Sequence, residues 1–230
     1  MVEGQLVDRN FLLTAGGVEI ATGVDSRVIR VGSDVYKLYD QNFDTERFCE
    51  LTLEDILRYQ GVMNEASESL AEAPFSMSVP LNNLSGITQE YPVSFSVLPI
   101  DEVGEVDGIP FGRSRYIAGP NLAQLFTSYK RYLPDPELTD EQNDFFAVNR
   151  PDLNQQWLDV LNASPVPIED NVVSVIWQRR REINAYLRER VDGVKGVAIG
   201  IDNIKASINP DLTHLHLIIT DLYNEIRREI

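Results

Sequence analysis

A single lysine interrupts the apolar and aromatic run Val35-Tyr36-Lys37-Leu38-Tyr39-Asp40. The run Arg27-Val28-Ile29-Arg30-Val31 precedes it, and Gly32-Ser33-Asp34 separates the two. Two β-branched and aromatic runs joined by a turn of this kind predict a β-hairpin. Because side chains alternate along a strand, the second strand should carry Val35, Lys37 and Tyr39 on one face and Tyr36 and Leu38 on the other.

Lys37 has two interpretations at this point. An unpaired lysine is costly to bury, so its place in an apolar run requires a reason. It is either a charge that protects an edge strand from pairing, or an ammonium group aimed at an anion. The hairpin alone does not decide between them.

Composition limits the class of protein. The chain has 230 residues, of which 43% are hydrophobic, enough for a core in one large domain or two small lobes. Its net charge of −16 repels phosphate backbones, so we expect no nucleic-acid partner. Acidity does not exclude ATP, because Mg²⁺ and local lysines set the field at a nucleotide site.

Cysteine use and hydropathy indicate the compartment. The single cysteine, Cys49, makes no intramolecular disulfide or zinc cluster and suits a reducing environment. The first residues lack the pattern of a signal peptide, and no apolar run approaches the ~18 residues of a membrane span. We therefore expect a cytoplasmic protein without a membrane partner, and leave a protein partner open.

The first half of the chain predicts strands on both sides of one helix. Residues 18–21 add a third strand to the hairpin. Residues 44–70 change to a 3.6-residue period, which predicts a helix with either Thr52 or residues 44–46 at its N-cap. The segments that follow are three extended stretches and one acidic, glycine-containing turn: 76–80, 91–98 and 113–117 as strands, and 102–108 as the turn.

The second half predicts helices and a late hairpin. Residues 130–170 are polar and proline-rich, which favours short helices between turns. Residues 170–191 have the strongest helical pattern. A hairpin should follow over residues 199–221, with its second strand ending at Asp221.

This order of elements resembles the protein-kinase-like superfamily, in particular the aminoglycoside phosphotransferase-like small-molecule kinases. Four local patterns carry the resemblance, which covers roughly residues 16–225. They match, in order, the N-lobe strand with the phosphate-pairing lysine, the hinge, the catalytic-loop asparagine, and the strand that ends in the metal-binding aspartate: residues 35–39, 115–122, 203–206 and 217–222.

The resemblance implies an α+β, two-lobed fold. Residues 1–117 would form an N-lobe, with an antiparallel sheet and one main helix. Residues 118–230 would form an abbreviated, mostly helical C-lobe that contains the hairpin 199–221. Nine residues follow Asp221 in this sequence, so the resemblance is to a degenerate or truncated member.

The resemblance also implies a site for ATP and Mg²⁺. Lys37 would pair with the phosphates, and Tyr116 and Ile117 would belong to the hinge that contacts the nucleotide. Asn203 and Asp221 would supply amide and carboxylate oxygens to the metal.

A carboxylate should hold Lys37 in place. Glu54 lies 17 residues further along, within the predicted helix, and is close to the family's usual spacing. Glu50 and Glu65 are alternatives on other turns. Glu54 is equally consistent with an exposed helix acid.

The general base of the family is missing in the favoured alignment. An aspartate should stand five residues before the asparagine, and Ala198 occupies that place. An alternative alignment makes Asp202 the base and Ser207 the asparagine. It requires residues 208–210 to form a strand, which Pro210 argues against.

Three hypotheses follow. The chain is a pseudokinase-like protein that binds ATP and Mg²⁺ without assured phosphate transfer, or an active small-molecule phosphotransferase that uses Asp202, or an interaction domain that binds no nucleotide. His214 and His216 have a spacing that suits a metal, but two ligands make no site without partners, so we interpret them as structural.

Overall fold

The computed structural model describes residues 12, 16–22, 26–39, 51–82, 88–121, 135–144, 146, 182–191, 194, 200, 203–211 and 213–222. This part of the chain is α+β. Its main helix is α1 (Leu53–Glu72), and residues 140–144 and 182–190 are also helical. The strands are β1 (Val18–Thr22), β2 (Arg27–Val31), β3 (Asp34–Leu38), β4 (Ser76–Asn82), β5 (Thr88–Val97), β6 (Glu102–Val106), β7 (Ile109–Arg115), β8 (Ile204–Ile208) and β9 (Leu215–Ile219).

The described residues group into two compact units. The first unit takes in those up to Glu65 and those from Leu98 to Tyr116. The second takes in Ala66–Val97 and the residues from Ile117 onward. β4 and β5 belong to the second unit, and the predicted division into two lobes at residue 117 remains a prediction.

The first unit contains an antiparallel sheet of five strands in the order β1-β2-β3-β7-β6. The hairpin predicted from residues 27–38 is confirmed, with Val28 opposite Lys37. The predicted turn over residues 102–108 is wrong, because only Asp107 and Gly108 form the turn between β6 and β7. Both have positive φ, at 51° and 76°, the conformation that a tight two-residue hairpin loop requires.

Apolar side chains on one face of this sheet form a core. Ile29, Leu38 and Phe111 are each at most 2% exposed, and Leu12 and Val106 complete the cluster. The ring centroids of Tyr36 and Phe111 lie 5.6 Å apart, which adds an aromatic contact. Strand alternation therefore directs Tyr36 and Leu38 into this core, as the sequence predicted.

Helix α1 begins at a capping arrangement. The Asp55 backbone N–H donates to Thr52 Oγ1 at 3.2 Å, and the Thr52 backbone N–H donates to Asp55 Oδ2 at 2.9 Å. These bonds satisfy donors that the first helical turn leaves free. Thr52 is therefore the N-cap, one of the two predicted candidates. The helix buries a stripe at helical spacing, formed by Ile56, Tyr59, Met63, Ala66 and Leu70.

The second unit contains a four-stranded sheet in the order β4-β5-β9-β8. β8 and β9 form the predicted hairpin, and β5 lies parallel to β9, a pairing that the sequence analysis did not predict. One face of the two central strands is apolar and buried, formed by Val93, Phe95, Val97, Leu215, Leu217 and Ile219. The opposite face carries serine and histidine side chains, described below. None of the helices in the described segments combines the length and apolar character needed to cross a bilayer.

Candidate functional site

Lys37 lies on an interior strand. β3 pairs with β2 on one side and with β7 on the other, where Gly112 is its partner. The interpretation of Lys37 as a guard of an edge strand is therefore wrong. Its Nζ lies 5.2 Å from the ring centroid of Tyr39, within the range of a cation–π contact. Lys37 and Tyr39 thus meet on one side of the strand, as alternation predicted.

Glu54 lies in the first turn of α1 and makes a local contact. Its side chain is 87% exposed, and its carboxylate lies 3.9 Å from Arg58, one helical turn later. An exposed pair of this kind contributes little to stability. Glu65 is also exposed, and Glu50 lies outside the described residues. The pairing of a helix carboxylate with Lys37 remains a prediction.

Asn203 and Asp221 lie at the same end of the β8–β9 hairpin. The carbonyl oxygen of Asn203 accepts hydrogen bonds from the backbone N–H of Thr220 at 2.8 Å and from its hydroxyl at 3.2 Å. Asp221 follows Thr220 directly and is only 6% exposed. Asp202, the candidate base of the alternative alignment, and Ala198, which occupies the base position in the favoured one, both lie outside the described part of the chain.

Residues 115–121 of the hinge-like segment are fixed at two places. In the first unit the Tyr116 backbone N–H donates to the Ser33 carbonyl at 2.7 Å, and the guanidinium of Arg30 lies 3.8 Å from the centroid of the Tyr116 ring. In the second unit the Ala206 backbone N–H donates to the Pro120 carbonyl at 2.7 Å. From Ile117 onward the segment belongs to the second unit. At Pro120 it runs beside β8.

Gly119 makes this approach sterically possible. Its φ is +108°, and an added Cβ would overlap the carbonyl oxygen of Ala206. Only glycine adopts this conformation readily and leaves room for the neighbouring backbone. The glycine of the hinge-like motif therefore has a local structural reason in this chain.

Lys205 is a charged residue that the sequence analysis did not single out. Its Nζ donates to the carbonyl oxygen of Gly119, while Asp135 Oδ2 accepts from the Gly119 backbone N–H at 3.2 Å. Burial lowers the pKa of Lys205, and the nearby charge of Asp135 opposes part of that shift. A lysine alternating with Ile204 and Ala206 was the available signal, the same one that drew attention to Lys37.

The second unit thus contains Asn203, Asp221 and the hinge-like segment from Ile117 onward. Asn203 and Asp221 flank the paired ends of β8 and β9, and Pro120 contacts β8. Amide and carboxylate oxygens are hard donors of the kind Mg²⁺ accepts, and Mg²⁺ usually takes one or two protein ligands beside phosphate and water oxygens. The donor set therefore fits the metal. Among the residues that the structure covers, no three His, Cys, Asp or Glu side chains are grouped closely enough to hold a metal by themselves.

The two histidines interact with serines of β5. Ser94 Oγ lies 2.7 Å from His214 Nε2 and 2.5 Å from His216 Nδ1, and Ser96 Oγ lies 2.8 Å from His216 Nε2. Burial, and then the proximity of His214, lowers the pKa of His216. This cluster lies on the polar face of the second sheet.

No protein-family model matches the chain, and no curated protein matches it. Solved structures of the Mycobacterium tuberculosis PknI kinase domain are similar at 11% sequence identity. A double mutant of that domain matches with a TM-score of 0.37, over 91% of this chain and 62% of the other. A single mutant matches with a TM-score of 0.36, over 90% and 58%. The chain thus spans about three fifths of the length of these kinase domains.

Proposed function

We propose that this chain is a kinase-like, pseudokinase-like protein that binds ATP with Mg²⁺ and transfers phosphate poorly or not at all. The observation that carries the proposal is the end of the β8–β9 hairpin, where Asn203 and Asp221 lie together beside the hinge-like segment. Phosphate-binding enzymes of this class need oxygen ligands for the metal held on rigid elements, and a paired hairpin provides them.

The first unit supports the same proposal with its strand order. Lys37 occupies the third of three consecutive antiparallel strands, α1 follows, and β7 then returns to pair with the lysine strand. The resemblance implies that the third strand of the N-lobe carries the phosphate-pairing lysine. Held between two strands, the backbone of Lys37 has a fixed position from which the ammonium can meet a phosphate.

The hairpin favours the alignment with Asn203 as the metal-binding asparagine. Ser207, the asparagine position in the alternative alignment, lies inside β8 opposite His216. β8 ends at Ile208, and the Asn209 backbone N–H donates to the His214 carbonyl across the turn that follows. Residues 208–210 thus include the end of a strand and a turn, not the strand that the alternative requires.

Asn203 and Asp221 would hold Mg²⁺, which when bound neutralises phosphate charge. In the favoured alignment Ala198 stands where the base should be and cannot accept a proton. The chain's own residues therefore supply binding and orientation, while proton removal from an acceptor has no assigned group.

Nucleotide binding can be measured by isothermal titration and thermal shift with ATP, with and without Mg²⁺. We expect ATP–Mg²⁺ to raise the melting temperature, because a ligand that binds only the folded state stabilises it. Asp221→Asn should remove most of the Mg²⁺-dependent gain, and Lys37→Met should weaken ATP binding at least ten-fold. Asp211→Asn, at the opposite end of the same hairpin, is the matched control and should change neither. No stabilisation at millimolar ATP–Mg²⁺ would refute nucleotide binding and favour the interaction-domain hypothesis.

A transfer assay separates the pseudokinase from the active phosphotransferase. We expect no ATP turnover above background with small-molecule acceptors. Turnover that disappears in Asp202→Ala and persists in Ala198→Gly would contradict our proposal and assign the base to Asp202.

A further inference from the structure

The polar face of the second sheet holds a cluster with a different chemistry. His214 Nε2 and His216 Nδ1 both face a single atom, Ser94 Oγ, at 2.7 Å and 2.5 Å. Ser94 belongs to β5, whereas the histidines lie at the start of β9 and just before it. We propose that His214, His216 and Ser94 form a binding site for a divalent transition-metal ion of the copper or nickel type.

The convergence of the two rings supports a chelate. Because both nitrogens contact one oxygen, they are no farther apart than the sum of two hydrogen-bond lengths. A metal–imidazole bond is about 2.0 Å long, so two nitrogens on one ion lie at most about 4 Å apart, and rotation of the two side chains can bring these nitrogens within that distance. The Ser94 hydroxyl then remains beside the ion as a weak oxygen donor.

The donor set selects the class of metal. The described residues offer two imidazoles and one hydroxyl here, and no close group of three His, Cys, Asp or Glu side chains. A closed tetrahedral zinc site needs four protein ligands and is therefore not matched. Two nitrogens with oxygen and water suit the tetragonal geometry of Cu²⁺ and Ni²⁺, and Cu²⁺ stands highest in the affinity order for such ligands.

Neighbouring groups orient the His216 ring and hold the His214 backbone. Ser96 Oγ lies 2.8 Å from His216 Nε2 and can accept that N–H, which leaves Nδ1 with a free lone pair directed at Ser94. The backbone at His214 is held because its N–H donates to Asn209 Oδ1 at 2.7 Å. His216 thus has a partner on the far side of its ring, as oriented metal ligands do.

The structure adds what the sequence spacing lacked. Two histidines alone make no site, and the third donor comes from Ser94, which lies 120 residues from His214 in the chain. The proposed ion is held by nitrogen and is separate in chemistry from the oxygen donors Asn203 and Asp221. It does not depend on nucleotide binding.

The test is a Cu²⁺ titration of metal-free protein, with electron paramagnetic resonance of the loaded sample. The chain has two histidines and one cysteine, so a Cys49→Ser background removes the thiol and leaves His214 and His216 as its imidazoles. We expect one tightly bound Cu²⁺ per chain with hyperfine coupling to two imidazole nitrogens. His214→Gln and His216→Gln should each lower the affinity at least ten-fold, while Ser207→Ala, on the strand beyond β9, should leave it unchanged.

Two results would overturn the site. One is a spectrum of the folded parent protein without coupling to two imidazole nitrogens, a measurement that needs no variant. The other is Cu²⁺ affinity that persists in the double histidine variant, which would place the metal at the N-terminus or at carboxylates. Loss of ATP binding would not affect either measurement, so failure here is distinct from failure of the proposed function.

Discussion

The two sheets differ in the sequence distance of the pairing that completes each of them. In the first, β1-β2-β3 and β6-β7 are runs of consecutive strands, and the pairing of β3 with β7 joins them, with Leu38 opposite Phe111. In the second, β4-β5 and β8-β9 are consecutive, and β5 pairs with β9 from much further along the chain, with Val93 opposite Leu215. Local signals specify the consecutive pairs of both sheets, whereas packing of a shared apolar face must specify the two long-range pairings.

The sheets also differ in how their faces are used. The first buries one apolar face and places Lys37 between two paired strands. The second has buried apolar side chains on one face and the serine–histidine cluster, beside Ile218, on the other. The three predictions that follow test the core of the first sheet, the contact of the hinge-like segment with β8, and the N-cap of α1.

The largest expected effect is in the core of the first sheet. Phe111 is 2% exposed and packs against Tyr36 and over Gly104, so Phe111→Ala leaves a cavity. We expect a loss of about 3–5 kcal/mol in the free energy of unfolding, measured by urea denaturation. Leu57→Ala, at a side chain that is 49% exposed, is the control and should cost far less. Equal effects would contradict the assignment of Phe111 to the core.

A smaller effect is expected where the hinge-like segment meets β8. Gly119→Ala places a Cβ on a residue with a φ of +108° and against the Ala206 carbonyl, and should cost about 1–3 kcal/mol. Gly61 lies in α1 with open space around its missing Cβ. Gly61→Ala should therefore stabilise the protein by about 1 kcal/mol, because alanine favours the helix. The two substitutions should shift the melting temperature in opposite directions. Shifts of the same sign would contradict the structural role given to Gly119.

The smallest effect concerns the start of α1 and its pH dependence. Thr52→Ala removes the cap and should cost about 1 kcal/mol. Hydrogen bonds from the Thr52 hydroxyl and backbone lower the pKa of Asp55 below its ordinary value of 3.8. The contribution of Asp55 is therefore complete above that value and is lost as the pH falls through the lower, folded-state pKa.

Urea unfolding at pH 6 and at pH 3 measures this loss. The parent protein should lose more stability on acidification than Thr52→Ala, in which Asp55 no longer has the hydroxyl donor. Thr52→Ser keeps a hydroxyl and should behave like the parent. An identical pH dependence in all three proteins would show that the cap does not set the pKa of Asp55.

Elements with a strong local signal were predictable from the sequence. The hairpin of β2 and β3 follows from two β-branched runs around Gly32, and α1 follows from its helical period and the Thr52 cap. β6 was missed because its glycine and acidic residues resemble a turn, although Val103 and Val106 pack inside the unit. A short strand with little apolar content gives a weak period-two signal.

Contacts across long sequence separations were not predictable. The local pattern of residues 91–98 does not indicate that β9 pairs with β5. The sequence around His214 likewise does not indicate a contact with Ser94. The candidate site shows the same difference between what local sequence suggests and what long-range contacts add. The resemblance singled out Asn203 and Asp221 as candidate residues, but not the contact of Lys205 with Gly119, which depends on two segments meeting.

The parallel pairing of β5 with β9 has a consequence for synthesis on the ribosome. β5 is synthesised more than a hundred residues before its partner, because Val93 pairs with Leu215. Until then the edge of β5 that β9 will occupy has unpaired backbone N–H and C=O groups, beside apolar side chains such as Phe95 and Val97. A nascent chain is prone to aggregation in this interval, and we expect a holding chaperone to bind it there.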